Sequence, residues 1–115
     1  MQIRTKRVYE APAEEDGLRV LIDRLWPRGI SREKGKIDHW HKAVAPSNEL
    51  RKWFHHEERK WDEFVKRYRA ELDENADAVA ELRELIAGSK VVTLLYGAKD
   101  EEHNQAVVLV GYLLE

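Results

Sequence analysis

Leu94-Leu95-Tyr96-Gly97-Ala98-Lys99-Asp100-Glu101-Glu102-His103-Asn104 decides how the rest of the chain is read. The apolar run 91–95 ends in a turn of small residues, and a polar cluster then opens an apolar helix. A strand, a short loop and a helix in that order place polar groups at the carboxyl end of a sheet. A second apolar strand, Val20-Leu21-Ile22-Asp23, delivers Arg24, Trp26, Pro27 and Arg28 to the same edge. The chain is organised to bring these two loops together.

The strand over 90–96 is almost continuously apolar, as expected when both of its faces are covered. Residues 101–114 read as the closing helix, with Asp100 as its N-cap. Val107, Val110, Leu113 and Leu114 form its expected packing face, widened by Val108 and Leu109. Upstream, residues 3–9 read as a first strand, 10–17 as an acidic loop ending in glycine, and 19–23 as a central strand. Pro27 lacks a donor and restricts Trp26 to an extended conformation, so the loop after that strand is stiff. Ser31 caps a turn through Lys34, and 37–45 is a third strand or an extended segment.

Ser47 is the expected N-cap of a short helix that puts Leu50, Trp53 and Phe54 on one face. The helix over 60–74 carries the clearest stripe, Trp61, Phe64, Val65, Tyr68 and Leu72. A further helix restarts at Asn75-Ala76-Asp77 with the stripe Val79, Leu82, Leu85 and Ile86, and Gly88 is placed to end it. The expected fold is α/β: a single three-layer domain over 1–115, with a small, mostly parallel central sheet flanked by helices.

With 37% charged and 43% hydrophobic residues, the composition suits a soluble globular chain. It contains no cysteine, which excludes disulfides, thiolate nucleophiles and cysteine-ligated zinc or iron–sulfur clusters. The first residues lack the apolar core of a signal peptide and no apolar run approaches bilayer length, so a cytoplasmic protein with no membrane partner is expected. The net charge of −2 argues against a strong nucleic-acid binder but hides an asymmetry. Residues 1–36 hold nine Lys/Arg and six Asp/Glu, a net of +3, whereas 70–87 hold six acids and one base, a net of −5. Two solvated faces explain this, and so does a basic half that attracts an anionic small ligand.

The candidate chemistry lies in the two loops. Arg24 and Arg28 are suited to a carboxylate or phosphate, and Trp26 beside them to lining a pocket. Beyond Tyr96 come Lys99, Asp100, His103 and Asn104, at a helix start whose free N–H groups favour an anion. His103 has the chemistry of an acid–base group, with Asp23 or Asp100 to orient it. Structural roles stand beside each of these. Asp100 is explained by capping alone, Asp23 by an ion pair with Arg24 or Arg28, and Lys99 by solvation.

His39 and His41 at i, i+2 and the run His55-His56-Glu57-Glu58 contain metal-ligand types without the spacing of a zinc motif, so no metal is assigned. No Walker loop, GxGxxG, GxSxG or HExxH is present, and no cofactor is implied. Trp53 and Trp61 fall on apolar helix faces and read as core rather than as base-stacking platforms.

Several blocks carry a family resemblance. Val8-Tyr9 followed by Asp16-Gly17-Leu18-Arg19-Val20-Leu21-Ile22-Asp23-Arg24-Leu25-Trp26-Pro27-Arg28-Gly29 resembles the opening signature of YeaO-like proteins, the domain-of-unknown-function family numbered 488. Ala45-Pro46-Ser47-Asn48-Glu49-Leu50-Arg51-Lys52-Trp53-Phe54 and Thr93-Leu94-Leu95-Tyr96-Gly97-Ala98-Lys99-Asp100 resemble its later blocks. The resemblance implies an α/β domain and no particular activity. Longer relatives carry a Cys-His-Arg segment after the last strand. Here the corresponding residues are Asp100-Glu101-Glu102-His103-Asn104, so thiol chemistry is not implied.

Three functions follow in order of preference. The first is binding of an anionic small molecule, with or without catalysis, at the carboxyl edge of the sheet. The second is a nucleic-acid module using the basic N-terminal half. The third is a non-catalytic interaction domain, which exposure of Trp53, Phe54 or Trp61 would favour.

Overall fold

The computed structural model describes residues 1–115 and contains one four-stranded sheet. Strands β1 (Gln2–Arg7), β2 (Leu18–Leu21), β3 (His39–Trp40) and β4 (Val91–Tyr96) lie in the order β1-β4-β2-β3, and every pairing is parallel. The last strand in sequence is therefore inserted between the first two. Its apolar composition explains that position, because β4 pairs on both sides and buries five consecutive residues from Val92 to Tyr96.

Side chains alternate across a sheet, so β2 and β4 each feed two cores. Val20, Ile22, Val92, Leu94 and Tyr96 enter a core of 19 buried residues. Helices α1 (Asn48–Phe54), α2 (Trp61–Glu74), α3 (Ala76–Ile86) and α4 (Gln105–Leu113) all contribute to it. Leu21 and Leu95 enter a smaller core with Val8 and Ile37, against which Trp26, Ile30 and Trp40 pack. The chain is thus an α/β domain around a parallel sheet. One cover consists of helices, and the other is the irregular segment between β2 and β3.

That segment is fastened by two indoles, its own Trp26 and Trp40 of β3. Trp26 Nε1 donates to Ile30 O at 2.7 Å, Trp40 Nε1 donates to Asp23 O at 2.8 Å, and the two rings meet edge to face at 5.2 Å. On the same side, buried Arg19 donates to Gly35 O through Nε and Nη2 and pairs with Asp16. Lys6 also reaches Asp16, at 3.0 Å. Burial alone would raise the Asp16 carboxyl, but the Ala13 amide, Lys6 and Arg19 together hold it below its ordinary range.

The helices follow the hydrophobic stripes. Phe64, Tyr68 and Leu72 are buried on α2, with Trp61 and Val65 half-buried beside them. Val79, Leu82 and Ile86 are buried on α3, and Leu85 is half-buried. Ser47 caps α1, accepting from the Leu50 amide at 3.1 Å, and its own amide and hydroxyl donate to Glu71 of α2. Asn75 separates α2 from α3 as expected, and its side chain donates to Ala43 O. The turn after Ser31 also forms, with the Lys34 amide donating to Ser31 Oγ.

The C-terminal helix departs from expectation. It begins at Gln105 rather than at 101, and its cap is Asn104, whose Oδ1 accepts from the Val107 amide. Asp100 instead accepts from the amides of Glu102 and His103 and closes a local bend. The buried face is Ala106, Val108, Leu109 and Leu113, while Val107 and Leu114 are exposed. Every residue from Ala106 to Val110 is apolar, so no polar stripe marks the outer face. At the end of α3, Ala87 forms the cap in right-handed conformation and Gly88 does not take the left-handed one. The 37–45 segment resolves into the two-residue β3 and a 3-10 turn, Lys42–Val44.

Gly17 is a position that only glycine satisfies. Its φ is +64°, and a Cβ there would lie 2.2 Å from Val91 O. We expect Gly17→Ala to cost about 2 kcal/mol or more in urea denaturation, because it strains the backbone and pushes against β4. Gly88→Ala, with open space around it and no positive φ, is expected to stay within about 0.5 kcal/mol of the parent.

Candidate functional site

The segment after β2 runs to the small core, whereas the segment after β4 leads into α4 on the large one. These adjacent strands therefore send their continuations to opposite faces, which opens a crevice at their carboxyl ends. A cavity of about 220 Å³ lies there. Asp23, Arg24 and Leu25 line it from the end of β2, and Gly97, Ala98 and Gln105 from the segment after β4. Pro46, Arg51, Phe54 and His56 line it from α1 and its flanks, and Phe64 from α2.

Asp23 joins the two strand ends. Its Oδ2 accepts from the Gly97 amide at 2.8 Å, and its Oδ1 accepts from Gln105 Nε2. Gly97 permits the approach, since a Cβ there would sit 2.9 Å from Asp23 Oδ2. Burial pushes the Asp23 carboxyl up to about 6, opposed by the hydrogen bonds from Gly97 and Gln105 and by the charge of Arg51. Arg7, at the end of β1, holds the far side of the same loop by donating to Ala98 O at 2.8 Å.

Two guanidinium groups at the cavity lack a carboxylate partner. Arg24 donates through Nε to Pro46 O at 3.0 Å and through Nη2 to Ala45 O at 3.2 Å, so its hydrogen bonds fix the entry to α1. Arg51 donates to Asn48 Oδ1 at 3.3 Å and is exposed. Neither forms an ion pair, although the charge of Arg51 acts on the Asp23 carboxyl. His56 adds an imidazole from an unusual turn: both it and His55 take positive φ, 54° and 44°.

The structure divides the sequence-derived candidates. Asp23 and Arg24 line the cavity. Trp26 packs in the small core beside Trp40. Arg28 and Lys99 are exposed and outside the lining. Tyr96 is buried in the large core at the end of β4, and burial raises its phenol. Asn104 is buried as the helix cap.

His103 lies outside the lining, next to α2. Its Nδ1 is 3.0 Å from Asp100 Oδ2, its Nε2 is 3.7 Å from Glu58 Oε1, and its ring stands edge-on to Trp61 at 5.1 Å. The Glu102 and His103 amides hold the Asp100 carboxyl below its ordinary range. The sequence offers no site signal for Arg51 or Gln105, and it presents His56 only as a metal-ligand type. Only the cap at Asn104 marks Gln105 as the first residue of the helix.

The displacement of Asp23 from an ordinary value of 3.8 to about 6 corresponds to about 3 kcal/mol of native-state cost for ionisation. The protonated carboxyl is favoured in the folded protein, so this cost is absent below pH 4, develops as pH rises through about 6, and is constant above. We therefore expect Asp23→Asn to match the parent near pH 4 and to exceed its stability by about 1–3 kcal/mol at pH 8 in urea denaturation. A difference that does not grow between those pH values would show that Asp23 does not titrate in this range.

Comparisons with known proteins agree with the blocks quoted from the sequence. An uncharacterized protein of Mycobacterium tuberculosis is 45% identical over 112 residues, 97% of this chain and 93% of its own length. Uncharacterized protein YeaO of Escherichia coli is 43% identical over 113 residues, 98% of this chain and 97% of its own. No solved structure matches the chain significantly. Residues 2–115 match the family described as the inactive DUF488-N3 subclade. Together with near-complete coverage of the YeaO-type relatives, that match establishes the chain as a YeaO-like member of the DUF488 family.

Proposed function

We propose that the protein binds a small anionic molecule, without turning it over, in the cavity between the carboxyl ends of β2 and β4. The observation that carries this reading is the charge balance of the lining. Arg24 and Arg51 have no ion-pair partner, His56 lies beside them, and Asp23 is the one carboxylate present. Guanidinium groups without an ion-pair partner at a strand-end crevice attract carboxylate or phosphate. The volume, about 220 Å³, suits a small metabolite rather than a large ligand.

Binding without turnover accords with the position of His103, whose ring is engaged by Asp100, Glu58 and Trp61 away from the cavity. The subclade's description as inactive points the same way. An apolar partner surface is less well supported, because Phe54 is buried and Trp53 lies beneath Arg67 at 4.2 Å and Lys60 at 5.0 Å.

Titration with inorganic phosphate and with propionate, followed by amide NMR, tests this reading. The Gly97, Ala98 and Gln105 amides are expected to shift. Arg51→Ala is expected to weaken the response at least about tenfold, the loss of one charge-assisted contact, and Arg28→Ala to leave it unchanged. A response abolished by Arg28→Ala and indifferent to Arg51→Ala would overturn the assignment.

A further inference from the structure

The cavity is divided in its hydrogen-bonding capacity as well as in its charge. Gln105 spends its amide nitrogen on Asp23 Oδ1, and its own carbonyl oxygen accepts no hydrogen bond from the protein. Each Asp23 oxygen receives a single donor, Gly97 N on one and Gln105 Nε2 on the other. A carboxylate oxygen can accept more than one hydrogen bond. The side formed by β2 and α4 therefore presents acceptors with spare capacity, and the side formed by α1 presents a guanidinium and an imidazole. Phe54, Phe64, Pro46 and Leu25 supply an apolar wall.

We propose that the ligand is a small zwitterion of the α-amino acid class with an apolar side chain. Its ammonium group meets Asp23 and the Gln105 carbonyl, and its carboxylate meets Arg51 and His56. The inference rests on the anion-binding reading above and adds a donor to it. A simple anion would leave the Asp23 and Gln105 acceptors unused and would place like charge near Asp23. An ammonium group uses both and offsets the carboxylate in a partly desolvated place, where such a contact is stronger than in water.

The size agrees. Liquid water occupies about 30 Å³ per molecule, so a cavity of about 220 Å³ holds roughly the volume of seven waters. That is room for a small amino acid.

Calorimetric titration of the full chain with three molecules of one skeleton tests the proposal: leucine, 4-methylpentanoate, which lacks the amine, and 3-methylbutylamine, which lacks the carboxylate. Leucine is expected to bind about tenfold or more tighter than either, the worth of one charge-assisted contact. Asp23→Asn is expected to bring leucine down to the level of 4-methylpentanoate, and Arg51→Ala to weaken both. Thermal melts of each variant confirm that it is folded. If 4-methylpentanoate binds as tightly as leucine, the zwitterion inference falls and the anion-binding reading stands. If the amine binds tightest, or if none of the three binds and phosphate is also silent, both fall.

Discussion

The hydrogen bond from the Gly97 amide to the Asp23 carboxylate ties the carboxyl ends of β2 and β4 together, and much of the remaining architecture is arranged around it. Glycine at 97 favours it, because a Cβ there would sit 2.9 Å from Asp23 Oδ2 and the carboxylate would have to shift. It also needs the carboxylate to be drawn partly out of water, which raises its proton affinity. The same residue anchors the opposite layer, since Asp23 O accepts from the Trp40 indole. Asp23 thus sits where helical cover, loop cover and cavity meet, with its side chain serving one and its backbone another.

The sheet order explains why such a junction exists. A strand inserted late between two earlier neighbours must be apolar on both faces, and Val91-Val92-Thr93-Leu94-Leu95-Tyr96 meets that requirement. Thr93 is the polar member, and its hydroxyl donates to Asp16 O at 2.7 Å, so its burial leaves no donor unsatisfied. That contact joins the strand to the Lys6–Asp16–Arg19 cluster, which holds the cover of the second face through Gly35.

Much of this was legible in the sequence for a simple reason: period and punctuation are local signals. The stripes of α2 and α3, the Ser47 cap and the apolar β4 all announce themselves within a few residues. The α4 face did not, because Ala106-Val107-Val108-Leu109-Val110 has no polar position to break the symmetry. The start of α4 was missed because Asp100 and Asn104 are both competent caps, and only the folded chain shows that Asp100 closes a bend instead. For the candidate site, the strand ends lead to Asp23 and Arg24, which line the cavity. Arg51 and His56 enter from α1, distant in sequence from either loop, and no local pattern links them. Trp26 was misplaced because proximity to two arginines in sequence says nothing about which face of the sheet a loop side chain joins.

The unequal covers of the sheet also bear on how the molecule breathes. Helices close the large core with cooperative hydrogen-bond ladders, whereas the small core of four buried residues is closed by irregular chain. Segments with few buried apolar contacts open at lower free energy than the global transition. Opening of the loop cover would release the Trp40 indole from Asp23 O, and with it the backbone of the residue that holds the cavity floor. Opening of one face would in this way reach the other through a single indole hydrogen bond.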